Sequence, residues 1–339
     1  MNQYVTKAVE GHVFTEQEAF DLMNEIMNGE VTTAQLASLL SLMRYRGETA
    51  SEITGFARAM REHMRDFPLP DSDLVDTCGT GGDGASTYNI STAVSIMLAG
   101  MGAKVAKHGN RKVSSTSGSA DVVETLGIQI ESTPEDGAKR IEEQGLTFLY
   151  APVYHPAMKH AAPARKELGF RTVFNFLGPM CNPANAKRQL MGVYDTNYAE
   201  KMAEALKQLG SDHVLFVTGQ DGLDEITITG KTDIVELKDG EIRRFTVHPQ
   251  DFGYHTFPIE EVQIESSKES AELIRKVLEG EAPEAAQSIA VMNAGAGLYV
   301  AGGAESIADG VEQVKQAIES RKIESYYQQL TKENGTYAN

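Results

Sequence analysis

From Ala85 to Ala120 the chain contains no aspartate or glutamate, although it carries 48 acidic residues against 31 lysines and arginines and a formal net charge of -17. Positive charge is scarce overall, and a pI near 4.9 argues against bulk association with nucleic acid or an anionic membrane, both of which need a positive field. Cysteine is scarcer still. Cys78 and Cys181 show neither metal-ligand nor redox spacing, so a reduced, cytoplasmic setting is expected. There is no run of eighteen apolar residues to span a membrane, and the opening stretch Met1 to Lys7 lacks the apolar core of a secretory signal. Internal repeats and low-complexity tracts are missing as well. The remaining composition, 41% hydrophobic and 23% charged over 339 residues, suits a globular protein with one large domain and one smaller one.

Glycine, hydroxyl and basic residues collect where the acids are missing. Asp76-Thr77-Cys78-Gly79-Thr80-Gly81-Gly82-Asp83-Gly84 precedes the gap, and Lys107-His108-Gly109-Asn110-Arg111-Lys112 lies inside it. Glycines let backbone N–H groups close on an anion, and a following helix start adds the positive end of its dipole. A phosphate-rich ligand is expected. Gly79 to Gly84 matches the dinucleotide pattern G-x-G-x-x-G, but the acidic residue wanted about twenty positions on is replaced by Lys104 and Lys107. Nor does a Gly-Lys-Ser/Thr close a Walker loop. The turn, which ends in Asn89-Ile90-Ser91-Thr92 at a helix start, is therefore read as a phosphate or pyrophosphate cradle whose hydroxyls also reach a hydrated cation. An ordinary strand-to-helix turn capped by Ser91 or Thr92 is the competing reading.

Residues 1–66 read as a helical domain. Thr15 and Glu18 form a capping box ahead of Phe20, Leu22, Met23, Ile26 and Met27. Thr33 is expected to start the next helix, Gly47 to end it, and Ser51 to cap a helix from Ile53 to Met64. A proline-bearing linker, Phe67 to Asp71, follows. Beyond it, strands at Leu74–Cys78, Lys104–Lys107, Phe148–Tyr150 and Val214–Thr218 alternate with helices such as Ser91–Met101 and Ala120–Leu126. This predicts an α/β domain, residues 72–159 and 189–339, with a mainly parallel central sheet and helices on its faces. Residues 160–188 interrupt the alternation with a second proline-bearing passage, Gly178 to Pro183, and are expected to return to the helical domain.

The segment from Lys107 to Ser115 follows the second strand and so shares the carboxyl edge of the sheet with the glycine turn. Lys107 offers phosphate a point charge, and Ser114, Ser115 and loop amides complete a cage. Gly118-Ser119-Ala120-Asp121 presents a third helix start to that edge. For His108 a structural imidazole is the simpler reading. Asp221 to Glu225 follows a strand at His213–Thr218 and precedes an expected strand at Ile226–Ile228. Adjacent loop carboxylates suit Mg²⁺ bridging to pyrophosphate, against the alternative of a solvated acidic turn. Arg165, in the return segment, suits bidentate pairing with a planar carboxylate, though a surface cation is the plainer alternative. His155 and His160 lie off one helical face, so a turn at Pro156 is expected there rather than a metal pair.

In chain order, Asp76 to Asp83, Tyr88 to Thr92, Lys107 to Arg111, Gly118 to Asp121, His155 to Lys159, Phe174 to Pro179 and Gly222 to Glu225 together resemble the anthranilate phosphoribosyltransferase family, of the nucleoside phosphorylase and phosphoribosyltransferase class of fold. The resemblance runs over nearly the whole chain. It implies a homodimer through the helical domains and hinges between the two domains. It also implies transfer of the phosphoribosyl group of 5-phosphoribosyl 1-diphosphate to the amine of anthranilate, in tryptophan biosynthesis, with two Mg²⁺ ions per monomer. Residue by residue, it places Gly79, Gly82, Asp83, Thr87, Asn89, Ile90, Ser91, Thr92, Lys107, His108, Gly109, Asn110, Arg111, Lys112, Val113, Ser114, Ser115 and Ser119 on the ribosyl diphosphate. Gly79, Asn110 and Arg165 fall to anthranilate, and Ser91, Asp224 and Glu225 to the metal. No side chain is assigned as acid or base, since an aromatic amine needs little help losing its proton until late. Cys181 stands where the family commonly has Thr, and Lys166 where a second Arg is common; neither removes a matched ligand. Two other functions stand beside this one. A pyrimidine nucleoside phosphorylase would share the architecture without needing the Gly222–Glu225 motif, and a non-catalytic nucleic-acid-binding homologue would need a basic surface.

Overall fold

Capping chemistry sets the opening helices of the molecule. The structure is a computed structural model that describes residues 1–69, 73–111, 117–130 and 133–336. It opens with the helices Asn2–Val9, Glu16–Met27, Thr33–Arg46 and Ala50–Glu62. The last three each begin with a reciprocal box in which a threonine hydroxyl takes the N3 amide and the N3 side chain takes the threonine amide. The Thr15–Glu18 box and the helix start at Thr33 are as expected, with Thr32 as that helix's cap, but the cap of the fourth helix is Thr49, not Ser51. Thr32 and Thr49 have Gln35 and Glu52 three residues on, whereas Thr33 and Ser51 are followed there by Leu36 and Thr54. Leu22, Met23 and Ile26 share one buried core with Ile53, Phe56 and Met60. The helices meet so closely at Gly55 that a Cβ there would overlap the Glu16 carbonyl. Ala161, Ala164, Val173, Phe174, Phe176 and Met180 belong to the same core.

The remainder is built on a seven-stranded sheet in the order β3-β2-β1-β4-β5-β6-β7. Its strands are β1 Leu74–Gly79, β2 Lys104–Gly109, β3 Leu146–Tyr150, β4 Arg188–Gly192, β5 His213–Gly219, β6 Thr232–Lys238 and β7 Glu241–Val247. Pairing is parallel from β3 across to β5 and antiparallel from β5 to β7. Alternation along β5 splits its side chains between two layers. Leu215 and Val217 join the core made with helices Ile90–Gly100 and Glu284–Ala301, while Val214 and Phe216 face helix Thr196–Gln208.

The strand expected at Ile226–Ile228 does not form. Both isoleucines are buried, but as a loop. The Ile226 backbone pairs with the Asn293 side chain, and the Thr227 amide donates to the Thr232 hydroxyl, so no ladder is needed. Chain direction matters more for function. After β1 the chain runs outward to β2 and β3, and after β4 it runs the other way to β5. The sheet therefore has a switch point between β1 and β4, where α/β sheets open a crevice at their carboxyl edge.

At the far side of the sheet, β6 buries a carboxylate. Glu236 is fully buried, hydrogen-bonds with His213 at 2.9 Å, and accepts from the Tyr299 hydroxyl at 2.8 Å and from Arg243. Burial alone would raise its pKa, but these partners outweigh burial and hold it at about 2, below its ordinary 4.5. A depressed carboxylate pKa adds stability above the unfolded value that is lost as pH falls toward the folded one. Glu236→Gln is expected to cost on the order of 3 kcal/mol at neutral pH in urea unfolding. The gap to wild type should shrink between about pH 4.5 and 2. A gap that stays constant across that window would contradict this assignment.

Candidate active site

The crevice between β1 and β4 is roofed by the loop that carries Asp224. β1 ends at Gly79 and β4 at Gly192, and both glycines are there because Asp224 comes so close. A Cβ on Gly79 would stand 2.6 Å from Asp224 Oδ2, and one on Gly192 would overlap the Asp224 carbonyl. Oδ2 also accepts the Gly81 amide at 2.9 Å, which joins the loop to the glycine turn. Two pins hold the loop from behind. Asn293 accepts the Ile226 amide at 2.9 Å and donates to its carbonyl at 3.0 Å. Asp221 accepts the Thr227 and Thr229 hydroxyls, each at 2.6 Å, and the Leu223 amide at 3.1 Å.

Three carboxylates gather at this point. Burial, with the nearby Asp83 charge, pushes Asp224 up to about 7. Burial and then the Asp224 charge drive Glu225 well above its ordinary value, against the opposing pull of Lys107. Glu225 also takes the Ser91 backbone N–H, so a negative group already rests on the start of helix Ile90–Gly100. Lys107 lies beneath the turn at 2% exposure and donates to the Thr77 carbonyl at 2.6 Å and the Ser91 hydroxyl at 3.2 Å. Burial lowers its pKa, while Asp76, Cys78 and Glu225 resist that shift. Among the described residues no three His, Cys, Asp or Glu side chains form a ready-made metal cage. The site offers instead hard oxygens whose charges resist ionising together, beside a serine hydroxyl. Such a donor set fits Mg²⁺, which would replace protons as the counter-charge.

The other expected contacts lie around this centre. Gly81, Gly82 and Gly84 all have left-handed φ, and Asp83 accepts the Ala85 amide at 3.1 Å. Thr87 bridges to Gln263. Asn89 is tied by the Ser117 and Ser270 hydroxyls at 2.7 and 2.8 Å, Ile90 is buried, and the buried Thr92 hydroxyl has no partner among the described residues. Gly109 ends β2, and the Ser119 hydroxyl donates to the carbonyl of the exposed Asn110 at 3.2 Å. The second and third loops thus meet, at the same sheet edge as the glycine turn. Arg111 is engaged otherwise, pairing with Asp121 at 3.0 Å and Glu124 at 2.9 Å. Lys112, Val113, Ser114 and Ser115 lie outside the described residues.

Facing these loops is the return segment. Arg165 is half-buried over the Phe174 ring at 5.4 Å, and burial lowers its pKa. His108 and His155 stand with ring centroids 5.1 Å apart. Each bonds to backbone of the Gly178–Cys181 stretch, leaving a buried Nε2 without a partner among the described residues. Burial drops them from 6.5 to about 3 and about 4, so both are neutral near pH 7. His155 precedes a 3₁₀ turn, Pro156–His160, as the sequence suggested.

Three residues that the sequence did not single out help to build the site. Asn293 could have been suspected as the one amide among the apolar residues 288–301. Asp76, inside the glycine signature, is fully buried and accepts the His108 amide at 3.1 Å, which ties the first loop to the second. Arg171 looks in sequence like any surface cation, yet its guanidinium stacks 3.8 Å over the Tyr194 ring and packs on Gly82.

A sheet switch point that gathers backbone amides, a helix start and paired carboxylates suits a phosphate-bearing ligand held together with a cation. The comparisons with known proteins agree. The glycosyl transferase family's a/b domain matches residues 71–322 and its helical bundle domain residues 2–64. The anthranilate phosphoribosyltransferase of Geobacillus kaustophilus is 56% identical over 330 residues, covering 97% of each chain. The crystal structure of the Thermus thermophilus enzyme of that name is 40% identical, with a TM-score of 0.89 over 97% of this chain and 98% of that one. The Saccharomyces cerevisiae enzyme in complex with PRPP and Mg is 26% identical, with a TM-score of 0.87 over 98% and 97%. This chain belongs to the anthranilate phosphoribosyltransferase family.

Asn293→Ala would leave both backbone groups of Ile226 unpaired in the core. It is expected to cost about 1–3 kcal/mol for each group in chemical denaturation and to raise the Mg²⁺ concentration needed for half-maximal activity. Unchanged stability together with unchanged metal demand would contradict the pinning role.

Proposed function

We propose that the chain transfers the phosphoribosyl group of 5-phosphoribosyl 1-diphosphate to the amine of anthranilate, releasing pyrophosphate and forming N-(5-phosphoribosyl)anthranilate for tryptophan biosynthesis. The observation that carries this reading is the Asp224–Glu225 loop seated on Gly79 and Gly192, against the glycine turn and the start of helix Ile90–Gly100. The diphosphate lies along Gly79 to Gly82, Asn89 to Thr92 and the Lys107 to Ser119 loops. The Gly81 amide now held by Asp224 and the Ser91 amide now held by Glu225 are the groups an incoming phosphate would take over. Asp224, Glu225 and Ser91 would hold magnesium, at two ions per chain, and the ion supplies charge neutralisation for the departing pyrophosphate. The yeast relative's complex with PRPP and Mg supports that cofactor.

The chain's own residues account for the rest. The reacting carbon develops oxocarbenium character as its bond to pyrophosphate lengthens, so backbone donors fixed at the leaving group lower the barrier without reorganising. Arg165 with Asn110 orients the anthranilate carboxylate and points the amine at the ribose. The neutral His108 and His155 add no positive charge beside the forming cation. The helical domain comprises residues 1–66 with 160–188, and the α/β domain comprises 72–159 with 189–339. The proline-bearing passages serve as joints that bring Arg165 to the phosphate loops and exclude water. Arg61, which donates to the Met180 carbonyl, and Asn182, which donates to the Ala106 carbonyl, anchor one passage on both sides. A homodimer forms through the helical part, where Val9, Val13 and Tyr45 are exposed. The buried free thiols of Cys78 and Cys181 suit the cytoplasm. No helix among the described residues is long and apolar enough to cross a membrane.

The test is loss of anthranilate fluorescence that depends on both the ribosyl diphosphate and Mg²⁺, with stoichiometric release of pyrophosphate. Asp224→Asn combined with Glu225→Gln should lower turnover by several orders of magnitude while keeping the wild-type circular dichroism spectrum. Wild-type turnover in excess chelator, or phosphate-dependent cleavage of pyrimidine nucleosides in its place, would overturn the reading.

A further inference from the structure

Arg171 lies between helices Ala162–Leu168 and Phe174–Met180, on the part of the chain that faces the glycine turn. Its Nε and Nη2 are 3.1 and 3.3 Å from where a Cβ on Gly82 would stand, so the guanidinium rests directly on the turn's backbone. The Tyr194 ring lies beneath it, 3.8 Å from ring centroid to guanidinium carbon. Stacking of this kind fixes the plane of an arginine and leaves its edge N–H groups to point elsewhere. The Arg171 charge also reaches Asp224 and favours the ionised form of that carboxylate.

The neighbouring cations are already committed. Lys107 is buried and bonded to the Thr77 carbonyl and Ser91, and Arg111 is paired with Asp121 and Glu124. Arg171 is half-buried and, among the described residues, forms no ion pair at contact distance. A preoriented guanidinium over a left-handed glycine turn, beside carboxylates suited to a cation, has the geometry of a phosphate clamp.

We infer that Arg171 is a further binding residue for the diphosphate of the ribosyl donor. The inference rests on the transferase reading and adds one residue to it. In this division of labour the return segment sends two aromatic-backed arginines into the site, Arg165 over Phe174 and Arg171 over Tyr194. The first takes the acceptor's carboxylate, and the second takes the donor's phosphates. Gly82 has no side chain partly because a Cβ there would crowd the guanidinium.

The experiment measures binding of magnesium pyrophosphate to the full-length chain by titration calorimetry, for wild type, Arg171→Lys, Arg171→Gln and Arg171→Ala. Steady-state constants for both substrates are measured alongside, and thermal melts check folding. The expected result for Arg171→Gln is a loss of pyrophosphate affinity of about ten- to a hundredfold, with a matching rise in KM for the donor. KM for anthranilate should move less than about twofold. Arg171→Lys should lose less, and millimolar guanidinium should partly restore Arg171→Ala, which a merely structural role would not show. Unchanged pyrophosphate affinity in Arg171→Gln would overturn the inference while leaving the transferase reading intact if wild type still turns over. Equal losses for both substrates, or a loss abolished by raising Mg²⁺, would also overturn it and move Arg171 to packing or to Asp224. A wild type that neither turns over nor binds pyrophosphate would sink the reading and the inference together.

Discussion

The Asp224 loop crosses the carboxyl ends of β1 and β4 at a distance that only glycine beneath it permits. That approach organises the site. It puts a carboxylate in hydrogen-bonding range of the Gly81 amide and brings Glu225 onto the Ser91 amide. It also sets both acids against Asp83, where their charges repel. Burial and that repulsion together raise the proton affinity of both acids. A divalent cation with a polyphosphate answers the same electrostatic problem, since the metal satisfies the carboxylates and the phosphates satisfy the amides.

Asp76 and Lys107 form the lower half of this arrangement. Both are buried, and their charges partly offset each other through the strand backbone they brace. In the sequence pattern Lys107 offers phosphate a point charge. In the structure it supports the Thr77 carbonyl and the Ser91 hydroxyl from below, so its field reaches the site through the turn it holds. Above, the return segment contributes aromatic-backed arginines and the neutral histidine pair. The site is thus a sandwich of a rigid sheet edge and a facing helical segment.

Those parts of the site whose chemistry is local in the chain were legible in the sequence. The glycine turn, the helix start at Asn89 to Thr92 and the Asp-Glu pair each announce themselves within a few residues, and strand-helix alternation places them on one edge. Capping boxes follow a three-residue spacing, and applying that spacing strictly would have found Thr32 and Thr49. Long-range contacts left no such trace. Ile226 to Ile228 has the apolar, β-branched look of a strand, but its backbone is satisfied by Asn293, 67 residues away. Arg165 and Arg171 sit six residues apart with similar surroundings in sequence, and only the fold places Arg171 on Gly82. Arg111, one residue past Asn110, turns outward to acids on the next helix.

The central claim is that the cation and diphosphate meet at the β1–β4 crevice under Asp224. Paramagnetic broadening of backbone amides by Mn²⁺, added with pyrophosphate to the deuterated full-length chain, locates that meeting point directly. The account predicts that broadening is strongest at Gly79, Gly81, Ser91 and Gly192, and that competing Mg²⁺ removes it. Broadening centred elsewhere on the acidic surface, with those four amides unaffected, would contradict it.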